Sequence, residues 1–283
     1  MTERTGQISV QTNDVFPIIK KWLYSEHDIF IRELVANATD AISKRSSLAR
    51  VQNNEIPTGS IDIVVNKTKK TITITDNGLG MTEEEVEKYI AQLAFSGAEE
   101  FIQKMEETDK SNDIIGKFGL GFYSSFMVAD KVELESLSMQ EDAKAVKWSC
   151  QGDPNFTFSD SDKAEVGTTI TLHINKESEE FLSIFSLNTT LKKFCNFMPF
   201  QISVLDEEKV VYPKKEDGSD DTSAEPLPNT PEVINETTPL WKRNPKDVTD
   251  DEYIKFYQSQ FPMEQAPLFW IHLKVDHPFT LEG

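Results

Sequence analysis

Ile61-Asp62-Ile63-Val64-Val65-Asn66-Lys67-Thr68-Lys69-Lys70-Thr71-Ile72-Thr73-Ile74-Thr75-Asp76-Asn77-Gly78-Leu79-Gly80-Met81 holds two strand-like runs on either side of a polar turn. Ile61 to Val65 and Thr71 to Thr75 are β-branched apart from Asp62 and broadly alternating, and Asn66 to Lys70 has no apolar side chain, so the stretch predicts a β-hairpin. Before it, Ile8-Ser9-Val10-Gln11 alternates like a short strand, and Val15 to Leu48 has helical periodicity apart from Pro17 near its start. After it, strands are expected at Lys131 to Leu137, Ala145 to Cys150, Phe156 to Phe158, Thr169 to Ile174 and Gln201 to Leu205, and a helix at Glu179 to Phe197. An antiparallel sheet with helices on one face accommodates this order, which makes the fold class α+β, a two-layer α/β sandwich.

The composition divides late. From Asp206 to Thr238 the chain carries Asp206, Glu207, Glu208, Glu216, Asp217, Asp220, Asp221 and Glu225 among Pro213, Pro226, Pro228 and Pro231. Like charge and proline at that density oppose packing, so residues 1–208 are expected as one domain and 209–238 as an acidic linker. A core-like pattern resumes at Pro239-Leu240-Trp241, with a strand at Leu268 to Val275, and 239–283 is expected as the start of a truncated second domain. The chain has 29 Lys plus Arg against 48 Asp plus Glu, a net charge of −19, which weighs against nucleic-acid or membrane-surface binding. Met1 to Gly6 has no apolar core of an export signal, and Cys150 and Cys195 lack paired spacing, so a cytoplasmic protein with reduced thiols is expected.

Four segments bear residues with chemical capacity. Glu33, Asn37 and Asp40 stand at i, i+4 and i+7 and share a helix face, with Ala38 and Ala41 small enough for close approach. A carboxylate one turn from a carboxamide suits a general base beside a metal ligand; a solvated polar stripe has the same pattern. Asp76 at a strand end, followed by Gly78 and Gly80, offers an acceptor to an amino group such as that of adenine, or a plain turn. Gly116, Gly119 and Gly121 precede Phe122-Tyr123-Ser124-Ser125-Phe126 and can present amide groups to phosphate oxygens, or act as a bare hinge; Ser124 stands where the dinucleotide fingerprint needs glycine. Gly167-Thr168-Thr169 opens a late strand with a hydroxyl to spare.

In that order, the four segments resemble the Bergerat, or GHKL, ATP-binding fold shared by DNA gyrase, the ninety-kilodalton heat-shock chaperones, histidine kinases and the MutL proteins. Phe30 to Ala41, Ser96-Gly97, Ile115 to Ser124 and, past the linker, Leu240-Trp241-Lys242-Arg243-Asn244-Pro245 are most similar to the ninety-kilodalton chaperone family in its bacterial form. The last segment resembles that family's middle domain.

The resemblance implies an ATP-dependent chaperone that uses nucleotide binding and hydrolysis to drive lid and dimer closure around client proteins. It implies that Glu33 activates the attacking water, that Asn37 coordinates Mg2+ on the ATP or ADP phosphates, and that Asp76 accepts the adenine amino group, helped by a water held near Thr168. Gly80, Met81 and Phe122 would line purine and sugar. Asp40, Lys44, Ser96, Gly97, Lys117, Gly119, Leu120 and Gly121 would complete the nucleotide site, with Ala91 to Gly121 as a mobile lid. Tyr89 and Phe95 stand where many relatives have Asn and Lys, which bears on lid contacts. A homodimer is implied for the full-length protein, with this segment largely monomeric and slow to hydrolyse, because an arginine completing the site and the dimer domain would follow Gly283. A gyrase- or MutL-like DNA-handling ATPase is the alternative. A histidine kinase is disfavoured because His27 lies on the same helical run as Glu33, with no separate phosphoacceptor domain before it.

Overall fold

The computed structural model describes residues 27–90, 121–215, 217–275 and 281–283. One compact unit takes in the described residues up to Asn196 together with Phe200–Ile234, and a second takes in Phe197–Pro199 with those from Asn235 onward. The expected strand at Ile8 to Gln11 and the segment Ala91 to Leu120 lie outside the described residues.

The hairpin forms as its alternation predicts. β1 (Ser60–Asn66) pairs antiparallel with β2 (Thr71–Asp76), Ile63 opposite Ile74. Asn66 builds the turn: its side-chain oxygen accepts from the Lys69 amide at 2.7 Å, and Lys70 takes the left-handed conformation that closes it. Around this pair lie β3 (Ala129–Leu137), β4 (Val146–Cys150), β5 (Phe156–Asp160), β6 (Gly167–Ile174), β7 (Gln201–Asp206) and β8 (Glu232–Val233). The sheet order is β5-β4-β3-β6-β2-β1-β7-β8. It is mostly antiparallel, as expected, with one parallel pair: β7 lies parallel to β1. The chain leaves β6, passes through helices and returns as β7 in the same direction, the connection a parallel pair requires.

Period-two alternation gives the sheet two unlike faces. Ile61, Ile63, Val65, Ile72, Ile74, Leu172, Val132, Leu134 and Trp148 share one face and are buried. The other carries Thr73 beside Thr171, Thr75 beside Thr169, and Glu133 held by His173 at 2.8 Å. Helix α1 (Ile29–Val51) buries Ile31, Leu34, Val35, Ala38 and Ile42, the helical spacing of an amphipathic face, and covers the apolar side. A second helix, α2 (Glu83–Tyr89), begins with a capping box between Thr82 and Glu85. The helix expected from Glu179 to Phe197 is divided: a 3-10 helix over Lys176–Leu182 precedes α3 (Ile184–Cys195). Ser183 is extended because it serves as the N-cap, while Phe181 packs edge-on to Phe30.

The second unit contains α4 (Asp250–Gln260), capped by Thr249 and Glu252, and an aromatic group of Phe197, Trp241 and Phe256. The strand expected at Leu268 to Val275 is confined to β9 (Lys274–Val275), paired with β10 (Leu281–Glu282). Leu268, Phe269 and Ile271 are exposed, and no neighbouring strand or layer among the described residues gives their alternation a partner.

Candidate active site

The apolar face of the sheet ends in a polar row. Register places Asp76 of β2 opposite Thr168 of β6, and Thr168 opposite Ser136 of β3, so the three follow Ile74, Ile170 and Leu134 on the same face. All three are buried. Asp76 accepts the Gly78 amide at 2.8 Å and a hydrogen bond from the Thr168 backbone. Burial pushes its carboxyl up to about 7, even though those two hydrogen bonds and the positive charges of Lys163 and Arg45 pull it down. A carboxyl removed from water at the end of an apolar face is a costly feature, which makes it a candidate for function.

The loop after β2 is tied on three sides. Asn77 accepts from the Ser60 amide and donates to the Thr58 carbonyl, while its own carbonyl receives the Arg45 guanidinium at 2.6 Å. The Leu79 amide donates to the Ala41 carbonyl of α1, the Met139 amide to the Leu79 carbonyl, and the Met81 amide to the Ser136 hydroxyl. Gly80 has φ of +65°, and a side-chain carbon there would run into the Leu137 carbonyl. Gly80→Ala is therefore expected to lower stability by about 1–3 kcal/mol through backbone strain, read as a fall in the thermal midpoint.

Along α1 the candidate residues present different environments. Asp40 is buried and lies near Lys44, whose amino group is lowered by burial and partly restored by the Asp40 charge. Asn37 is exposed. Glu33 gives one oxygen, Oε1, to Arg32, with Nη2 at 2.6 Å and Nε at 3.1 Å. Its other oxygen, Oε2, lies against Gly121, where a side chain would push the carboxylate aside. Glycine at 121 thus lets the 3-10 helix Gly121–Met127 reach the carboxylate. Phe122 is buried edge-on to Trp148 at 5.7 Å, an apolar wall rather than a polar contact.

The structure therefore brings Asp76, Gly80, Met81 and Thr168 to the middle of α1, near Ala41 and Arg45, and Gly121 and Phe122 toward its N-terminal end at Glu33. Ser96, Gly97, Lys117, Gly119 and Leu120 lie outside the described residues. Among the described residues no group of three His, Cys, Asp or Glu could cage a metal. A magnesium ion held mainly by phosphates and water needs only one or two protein oxygens, and the exposed carboxamide of Asn37 fits that requirement. Sequence reasoning missed Ser136, Arg32, Arg45, Asn77 and Lys163. Ser136 had a legible signal: after Val132 and Leu134 it is the polar residue on the apolar parity of its strand.

A family model described as "Histidine kinase-, DNA gyrase B-, and HSP90-like ATPase" matches residues 24–182, and one described as "Hsp90 protein" matches residues 222–282. The chain is 47% identical over 278 residues to chaperone protein HtpG of Bacteroides thetaiotaomicron, covering 98% of this chain and 39% of that protein. It is 45% identical over 282 residues to chaperone protein HtpG of Porphyromonas gingivalis, covering 99% and 40%. With HtpG of Oceanobacillus iheyensis the identity is 36% over 278 residues, covering 95% and 43%. The chain spans about two fifths of the length of the curated relatives it matches.

Proposed function

The chain belongs to the histidine kinase-, DNA gyrase B- and HSP90-like ATPases, on the HtpG-like Hsp90 branch, and from that premise we propose that it is the nucleotide-operated part of an ATP-dependent chaperone. The observation that carries this reading is the reach of α1. Ala41, against which the Asp76 loop is tied, and Glu33, against which Gly121 rests, are eight residues apart on one helix. At 1.5 Å per residue that is about 12 Å, a span that an extended nucleoside triphosphate can bridge from base to terminal phosphate.

In this reading Asp76 and Thr168 receive the adenine amino group, with Gly80 and Met81 beside the base and the Phe122 wall standing further along, on the Glu33 side of the nucleotide. Lys44, Asp40, Gly121 and residues 96, 97, 117, 119 and 120 serve the ribose and phosphates. Asn37 holds Mg2+ with the phosphates, where the ion would neutralise charge on their oxygens. Glu33 acts as general base through Oε2, because Oε1 is occupied by Arg32. Catalysis is then positioning and charge placement for in-line attack of water on the γ-phosphate.

Nucleotide state would bias a shape change that client proteins sense, in a dimer assembled by the longer protein, with the acidic stretch from 209, whose residues up to Ile234 belong to the first unit, leading on to the start of the middle domain at 239–283. The Hsp90 match over residues 222–282 favours this over a gyrase- or MutL-like role. Among the described residues no helix is long and apolar enough to cross a membrane. Calorimetric titration of the chain with ADP and Mg2+ tests the site: saturable one-to-one binding is expected, and no heat at millimolar ADP would refute it.

A further inference from the structure

The row Asp76, Thr168, Ser136 contains a hydroxyl whose partners are all accounted for. The Ser136 side chain is fully buried. Its oxygen lies 2.8 Å from the Met81 amide nitrogen, 3.2 Å from the Gly167 carbonyl oxygen and 3.0 Å from the Thr168 hydroxyl oxygen. A serine hydroxyl has one proton and two lone pairs. A carbonyl can only accept, so the proton goes to Gly167; an amide can only donate, so one lone pair goes to Met81. What remains is a lone pair, and the Thr168 contact closes only if Thr168 is the donor.

The Ser136 hydroxyl thereby fixes the orientation of Thr168, one strand away. Thr168 spends its single proton on Ser136 and keeps only lone pairs beside Asp76, which is itself an acceptor already served by the Gly78 amide and the Thr168 backbone. The end of the row is then a pair of acceptors with no donor between them. We propose that Ser136 is a positioning residue: by taking the Thr168 proton it turns Thr168 into an acceptor beside Asp76, and the two acceptors select a 6-aminopurine over a 6-oxopurine. This rests on the nucleotide-site reading above and deepens it. An exocyclic amine brings protons to both acceptors, whereas a 6-oxo group brings lone pairs to lone pairs, and a site built on unpaired buried groups rejects the wrong partner strongly.

The test is binding of ADP and of inosine diphosphate to the full chain by titration calorimetry, before and after Ser136→Ala. The unsubstituted chain is expected to favour ADP. In Ser136→Ala the Thr168 proton is released to face the base, so the ADP-to-inosine-diphosphate preference is expected to fall by about tenfold or more, with inosine diphosphate weakened less than ADP. Equal loss for both nucleotides means that Ser136 only packs, and overturns the inference; so does an unchanged preference. Ser136→Cys, which keeps the volume with a poor hydrogen-bonding group, is expected to show the same fall in preference, and it decides the matter if the alanine variant does not fold. If the unsubstituted chain binds neither nucleotide, the reading beneath falls and this inference with it.

Discussion

Glu33→Ala is expected to lower single-turnover ATP hydrolysis by about 10²–10⁴-fold, the usual worth of a positioned general base, while ADP affinity stays within about twofold. The expectation rests on the way the carboxylate is divided. Oε1 is engaged by Arg32, and Oε2 lies beside the glycine edge of the 3-10 helix, so in the proposed mechanism the base is Oε2. Removing the carboxylate leaves the part of α1 beside Asp76 untouched, because that part is held by Leu79 to Ala41 and Arg45 to Asn77. Filter-binding measurement of phosphate release with calorimetry of ADP separates the two quantities. Loss of ADP binding together with turnover would make Glu33 a structural residue and remove it from the chemistry.

Asp76→Asn is expected to weaken ADP binding by about 10–10²-fold. Backbone N–H groups of Gly78 and Thr168 point at the carboxylate, so an amide replacing it must turn its oxygen toward them. Its NH2 then faces the adenine amino group, donor against donor. The same substitution is expected to stabilise the nucleotide-free protein at neutral and higher pH. With a value of 3.8 unfolded and about 7 folded, Asp76 holds its proton in both states below pH 4, and only in the folded state between pH 4 and 7. Stability from this group is therefore lost as pH rises through that window, on the order of 4 kcal/mol by pH 8 at about 1.4 kcal/mol per pH unit. Asn carries no charge and escapes that loss. Thermal melts at pH 5 and pH 8 check it: the variant should gain on the parent at the higher pH, and a parent whose midpoint does not fall relative to the variant would refute the linkage. ADP affinity of the parent should in turn decline below pH 7, as the acceptor becomes protonated.

These two residues differ in how far they could be read in advance. Glu33 and Asn37 were placed on one helix face by spacing alone, since helical periodicity is local and α1 obeys it from Ile29 to Val51. Asp76 was placed at a strand end by the alternation of Thr71 to Thr75, and the hairpin formed on either side of an asparagine that builds its own turn. The division of the helix at Ser183 and the parallel pairing of β7 with β1 were not legible. Both depend on where the helical connection lands against the sheet, which is a property of packing rather than of any short run of residues.

Local pattern, then, decided that this chain makes a sheet backed by helices, and it decided which residue types could meet a nucleotide. Tertiary structure alone decided that Asp76, Thr168 and Ser136 form one row, because register joins residues 76, 168 and 136 through hydrogen bonds between strands that are distant in the chain. It also decided that Arg32 takes one oxygen of Glu33 and Gly121 the edge of the other, a division no spacing encodes. The physical reason is the same in each case: periodicity is set by neighbours along the backbone, whereas the proton affinity of Asp76 and the polarity of Thr168 are set by burial and by partners that only folding brings within hydrogen-bond distance.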